Sequence, residues 1–213
     1  MMLVVTKCAV LAAMLLYGGM AAAQSVEAYF GHQRAGVDLM WFSNFKDAQG
    51  ERSPFLFFSR NRASTNYDHS PTAFGSTNAV SYNFKSGWGL VAVGSYLNAG
   101  FRPKAGVQFV KMKGDFLFFG WLVADLKREG NLDLFGMFRW QPKLGKGNLR
   151  LFSQLELFPV YHPDNDIWNI TQRVRAGVKD RTWEAGLMAD FNQAGKIDFI
   201  QTNNLGAFLR HDF

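Results

Sequence analysis

The sequence predicts an all-β fold: a transmembrane antiparallel β-barrel of about twelve strands, with ten as the alternative, preceded by a cleaved signal peptide. Three observations predict it. Apolar residues recur at period two, which suits strands, rather than at the three-and-four spacing of a helix. Outside the first two dozen residues no run of 18 apolar residues occurs, so helical membrane spans are excluded. The chain is nonetheless 48% hydrophobic and 15% aromatic, with 21 phenylalanines. Such a strand-forming chain is either a sandwich that buries its apolar face or a barrel that turns that face to lipid.

The first element is expected to be removed. Residues 1–7 carry one positive charge, 8–20 are almost unbroken apolar, and Ala21-Ala22-Ala23 offers the small residues of a cleavage site. The expected domains are therefore a signal peptide, 1–23, and one barrel domain, 24–213. Loss of Lys7 leaves 22 basic against 17 acidic residues, a net charge of +5. Cys8, the only cysteine, leaves as well. Disulfide scaffolds, cysteine enzymes and thiolate metal sites are thereby excluded, and the context of Cys8 implies no lipid anchor.

Strands are read near 26–34, 36–45, 53–62, 78–85, 88–97, 102–112, 115–126, 131–141, 148–159, 168–179, 181–192 and 204–213. Alternation is clearest late in the chain. Trp183, Ala185, Leu187, Ala189 and Phe191 alternate with Glu184, Gly186, Met188, Asp190 and Asn192. Leu149, Leu151, Leu155 and Leu157 alternate with Arg150, Phe152, Gln154 and Glu156. The segment 54–62 is ambiguous, because Phe55, Leu56, Phe57 and Phe58 put bulk on both faces. The first hairpin, placed around Arg34-Ala35-Gly36, carries the weakest signal and is the source of the ten-strand alternative.

With both termini periplasmic, periplasmic turns fall at 46–52, 85–87, 112–115, 142–147 and 179–181. External loops fall at 63–77, 98–101, 127–130, 161–167 and 193–203. The two longest, 63–77 and 193–203, land outside, as barrels prefer. On the lipid parity, Trp88, Trp140 and Trp183 sit near periplasmic turns and Trp168 near an external end. They predict the aromatic girdles of a membrane barrel. Gln172, Ser153 and Lys111 also fall on that parity against the apolar trend.

Phe213 ends the chain, with Leu209, Ala207 and Leu205 on its parity. Here the sequence resembles bacterial outer-membrane β-barrel proteins, whose last strand ends in an aromatic residue. The resemblance implies outer-membrane lipid as surroundings and a barrel assembly machinery that reads Phe213 as a signal. His211 departs from the commoner hydrophobic or tyrosine.

The other parity should line the lumen. Its basic residues are Arg102, Lys104, Arg139, Arg150, Arg173, Arg175, Lys179 and Arg210; its acidic ones are Asp133, Glu156, Glu184, Asp190 and Asp212. Opposite signs on neighbouring strands predict cross-strand ion pairs. The basic excess predicts a channel for small, preferentially anionic solutes. Twelve strands leave a lumen open unless a loop such as 63–77 folds in. In size and basic lumen the chain looks like the small twelve-stranded porins that take up acidic oligosaccharides, an architectural likeness with no shared motif. A lumen locked by ion pairs would instead imply a non-conducting barrel whose external loops bind a partner or a surface glycan.

A third reading is a surface hydrolase. Asp68-His69-Ser70 and the group His162, Asp164 and Asp166 lie in expected external loops, where an aspartate-oriented histidine can activate water. They resemble the sites of omptin proteases and lipid A deacylase barrels, but the spacing matches neither motif. Turn formation alone accounts for such residues. No catalytic residue, cofactor or metal site is therefore expected. The absence of a basic run with interleaved aromatics argues against nucleic acid.

Overall fold

The computed structural model describes residues 25–68, 71–98, 100–127 and 130–213. The expected signal peptide, Cys8, His69 and Ser70 lie outside them. Twelve strands follow in order: β1 (Ser25–Gly31), β2 (Arg34–Lys46), β3 (Arg52–Asn66), β4 (Ala73–Asn83), β5 (Trp88–Leu97), β6 (Gly100–Lys113), β7 (Phe116–Asp125), β8 (Leu132–Trp140), β9 (Leu149–His162), β10 (Ile167–Asp180), β11 (Trp183–Gly195) and β12 (Phe199–Asp212). Each pairs antiparallel with the next, and β1 pairs with β12 to close the barrel. Closure leaves no strand edge unpaired. An even strand count brings β1's start and β12's finish to one end, the proximal end.

Side-chain alternation sorts the two faces. In β11, Trp183, Ala185 and Leu187 point outward, whereas Glu184, Met188 and Asp190 are buried inside. Leu187, at mid-strand, is 73% exposed, so the apolar residues of this parity lie on the outer surface of the barrel. The interior is packed. One apolar cluster, formed by Met40, Phe58, Val91, Val93, Phe119, Trp121, Phe135 and Met137, fills the β2–β8 side. A smaller one joins Tyr29, Phe152, Met188 and Phe208 on the β9–β1 side.

The structure corrects three expectations. The first turn lies at 32–33, not at Arg34-Ala35-Gly36, and Arg34 opens β2. Its cause is Asn204 of β12, whose Oδ1 accepts from the amides of Gln33 and Arg34 at 3.0 and 3.1 Å while its Nδ2 donates to the Arg34 carbonyl. A Cβ on Gly31 would stand 2.2 Å from that Oδ1, so glycine is required where the amide lies over the turn. Ten strands are excluded by the same pairing.

The long loops 63–77 and 193–203 shrink to connections at 67–72 and 196–198. Their Ser, Thr, Asn and Gln residues suggested loops, yet their backbones pair: Ser64 faces Ala73, and Asn192 faces Thr202. Strand pairing satisfies the backbone more completely than turn-forming side chains can. Connection length is consequently unsorted by end, since the longest, 141–148, is proximal.

Candidate functional site: the charged lumen and its distal vestibule

Every charged lumen residue named from the sequence points inward, and register decides its partner. Reading around the wall from β3 to β9, directly opposed residues are Arg62, Asp38, Glu27, Arg210, Glu184, Lys179 and Arg150. Signs mostly alternate, so neighbours stabilise one another across strands. Glu27 accepts from Arg210, and Lys179 donates to Glu184 at 2.9 Å and to Asp212. Arg210 also reaches the Gln154 amide oxygen at 3.0 Å, and its guanidinium lies 4.9 Å from the Phe152 ring centroid. Arg175 bridges Glu27 at 3.0 Å and Asp190 at 2.7 Å.

The remaining named residues fall into the same pattern. Arg102 pairs with Asp125 at 3.2 Å, and Lys104 with Asp133. Arg139 donates to Gln154 at 2.8 Å and lies over Phe152. Arg150, half-buried at the proximal mouth, pairs with Asp115 at 2.9 Å. Glu156 takes Arg173 at 3.3 Å from the adjacent strand and Arg60 at 3.0 Å from β3.

Arg60, Arg62, Asp38 and Glu27 are absent from the sequence-based lumen. Glu27 and Asp38 belong to the misplaced first hairpin, and the arginines to the ambiguous 54–62 segment. The spacing Arg60-x-Arg62, a twin of Arg173-x-Arg175, was the available signal. Phe58 and Leu56 share their inward parity and obscured it, because an apolar inner face conflicts with a uniformly polar lumen. The lumen is in fact half aromatic.

That division shapes the distal half into a vestibule of about 320 Å³. Arg34, Arg60, Arg62, Arg173 and Asn192 line one side; Phe58, Trp121, Phe135 and Phe158 line the other. Asp190 stands among the arginines, 3.8 Å from Arg34 and 4.0 Å from Arg62. Four buried donors there have no hydrogen-bond partner: Arg62 Nη1, Trp121 Nε1, Arg173 Nε and Asn192 Nδ2. The floor is the Asp38–Arg60–Glu156 chain together with the aromatic cluster, in which Phe58 stacks on Phe119 with centroids 5.4 Å apart.

Four outward tryptophans occupy strand termini as read from the sequence, whereas Trp41 stands within β2 against Phe57 at 5.6 Å. Trp88, Trp140 and Trp183 are exposed at the proximal end, and Trp168 at the distal end against Tyr161 at 4.8 Å. Phe213, also exposed, packs on His211, which packs in turn on Trp183, each pair 4.5 Å apart. His162 does not pair with Asp164 or Asp166. His162 bonds Asn169 at 2.8 Å, while Asp166 accepts from Tyr161 and pairs with Lys196 at 2.9 Å. Among the described residues no group of three His, Cys, Asp or Glu side chains could hold a metal.

No protein-family model and no curated protein matches the chain. Solved structures do. The KdgM porin in complex with disordered oligogalacturonate matches at 15% identity and a TM-score of 0.52, covering 89% of this chain and 99% of that one. A second KdgM porin structure matches at 15% identity, a TM-score of 0.48, and 89% and 98% coverage. At this identity the likeness speaks to architecture alone: the chain has the fold of a small, twelve-stranded, porin-type outer-membrane barrel.

Proposed function

We propose that this chain is an outer-membrane channel that passes small, hydroxyl-rich anionic solutes by diffusion, admitting them through the distal vestibule. The observation that carries the reading is the set of four unpartnered donors, Arg62 Nη1, Trp121 Nε1, Arg173 Nε and Asn192 Nδ2, in an arginine-lined cavity. Buried donors are normally satisfied, and a carboxylate or a row of hydroxyls would satisfy these. Facing aromatic rings suit the apolar faces of sugar rings, as in the acidic oligosaccharide bound by the KdgM porin. Of the lumen charges, basic residues exceed acidic ones, which favours anions along the path.

In this reading residues 1–23 direct export, both barrel termini face the periplasm, and the distal end faces outward. Trp88, Trp140, Trp168 and Trp183 anchor the barrel at the two lipid headgroup layers. Phe213 serves the barrel assembly machinery. The Arg60–Glu156 bridge across the lumen favours a second reading, a closed barrel that only captures the glycan.

Single-channel recording of the refolded chain in a planar bilayer, under a KCl gradient, separates the two. The channel reading expects steady conductance, an anion-favouring reversal potential, and block by added oligogalacturonate that weakens in Arg62→Ala and Arg173→Ala. Folded protein with no conductance but with oligogalacturonate binding would establish the closed barrel instead.

A further inference from the structure

Register and pairing disagree at one place in the vestibule wall. Arg173 on β10 and Asp190 on β11 are directly opposed, and opposite charges so placed ordinarily pair. Among the described residues each finds its partner elsewhere. Arg173 turns to Glu156 on β9, 3.3 Å from its Nη1, and Asp190 gives Oδ1 to Arg175 Nη1 at 2.7 Å. One buried atom of each is left without a hydrogen-bond partner: the Nε donor of Arg173 and the Oδ2 acceptor of Asp190. Arg34 and Arg62 stand 3.8 and 4.0 Å from that oxygen, beyond hydrogen-bond reach. All four residues line the cavity, as does Asn192, whose Nδ2 is also unpartnered.

These leftover atoms set requirements on a ligand. A carboxylate only accepts, so it satisfies Arg62 and Asn192 but would press its charge against Asp190 if it moved between Arg173 and Asp190. A hydroxyl both accepts and donates. Set between the two, it accepts from Nε and donates to Oδ2. An ammonium could serve Oδ2 but not Nε, and it would meet four lining arginines, Arg34, Arg60, Arg62 and Arg173, against one lining acid. The neutral donor is the group that fits. Across the cavity, Trp121, Phe135 and Phe158 offer ring faces to the apolar side of a sugar ring.

We propose that Asp190 determines the specificity of the vestibule. Together with Arg173 it reads a ligand hydroxyl, so the site takes sugar acids and rejects carboxylates of equal size and charge that carry no hydroxyl. A ligand without that hydroxyl would cover Nε and Oδ2 and leave both unpaired, which is how a polar site discriminates strongly. The inference rests on the vestibule binding anionic solutes, though not on conduction. It goes further in giving an acid, and not the arginines alone, a part in selection.

The test is calorimetric titration of the refolded chain in detergent micelles with two probes, galacturonate and cyclohexanecarboxylate. The unsubstituted chain is expected to bind galacturonate at least about tenfold more tightly. Asp190→Asn keeps an oxygen for Arg175 but sets a donor where Oδ2 stood. It should weaken galacturonate about tenfold and strengthen cyclohexanecarboxylate, because the opposing charge is gone. Structural damage would weaken both acids, and simple charge removal would strengthen both. Either of those results, or equal binding of the two acids by the unsubstituted chain, would overturn the role of Asp190 and leave an anion-binding vestibule standing. Binding of neither acid by the unsubstituted chain would overturn the vestibule reading as well. Should Asp190→Asn give no heat-modifiable folded band, Arg173→Lys takes its place: the ammonium can still hold Glu156 but supplies no Nε. The preference for galacturonate should then fall several-fold, and an unchanged preference would overturn the proposal.

Discussion

Arg60 on β3 and Glu156 on β9 meet at 3.0 Å although their strands stand on opposite walls of the twelve-stranded barrel. Asp38 holds the other side of the same guanidinium, with Oδ1 3.0 Å from Nε. The bridge divides the distal vestibule from the packed proximal half. In the proposed channel it is the place where opening and selectivity are decided. Arg60→Ala is expected to raise single-channel conductance and to lower anion preference by removing a positive charge. Glu156→Gln should shift the reversal potential the opposite way. Unchanged conductance and reversal potential in both variants would place the permeation path elsewhere.

Arg175 is a structural arginine. It is buried between Glu27 and Asp190 and lies over the Tyr29 and Phe208 rings. Arg175→Ala strips one cation from two buried carboxylates and should cost about 3–5 kcal/mol. Arg175→Lys should recover only part of this, because an ammonium cannot reproduce the fork that reaches both acids. Denaturant unfolding of the refolded barrel in micelles measures both.

Asn204 ties the closing seam. Its side chain is fully buried and serves the amides of Gln33 and Arg34. Asn204→Leu leaves both donors unpaired, an expected loss of about 1–3 kcal/mol. Amide exchange at Gln33 and Arg34 should quicken before exchange elsewhere in the barrel does.

A charge on the outer surface tests the membrane assignment directly. Leu187→Arg at mid-strand should destabilise the barrel in vesicles by about 2–4 kcal/mol. A negligible cost would mean that this face meets water.

The distal link between Asp166 and Lys196 gives a pH dependence of known sign. The hydrogen bond from Lys196, with that from Tyr161, lowers the Asp166 carboxyl below its ordinary 3.8. The reciprocal bond raises Lys196 above its ordinary 10.5. Asp166 therefore contributes order above pH 3.8, lost as pH falls through its lowered value. Lys196 contributes below 10.5, lost as pH rises through its raised value. Protection of the 163–166 amides, taken relative to their intrinsic exchange rate at each pH, should be greatest between these limits, and Lys196→Ala should return the acid transition toward 3.8.

One element was legible in the sequence to the residue. β5 was read as 88–97 and is Trp88–Leu97, because the turn residues Lys85-Ser86-Gly87 and Asn98 bound an apolar run on both sides. The late strands were legible by alternation, and their parity sorted Arg173, Arg175, Glu184 and Asp190 inward. In β3 that logic fails. Phe55 and Phe57 face outward while Leu56 and Phe58 fill the lumen, so both parities are apolar and periodicity cannot choose between them.

The sequence by itself determined that the chain is built of strands, the face of most residues and the aromatic termini, since a period of two is a local property of an extended backbone; twelve strands over ten was settled by the pairing of β1. Tertiary closure alone decided which residues meet across the lumen. Arg60 and Glu156 are 96 positions apart in the chain. Their contact depends on strand count, register and the curvature set where β1 meets β12, which no local pattern encodes. The aromatic half of the lumen was hidden on the same ground: an inward phenylalanine and an outward one are alike in sequence, and only closure of the sheet distinguishes lumen from lipid.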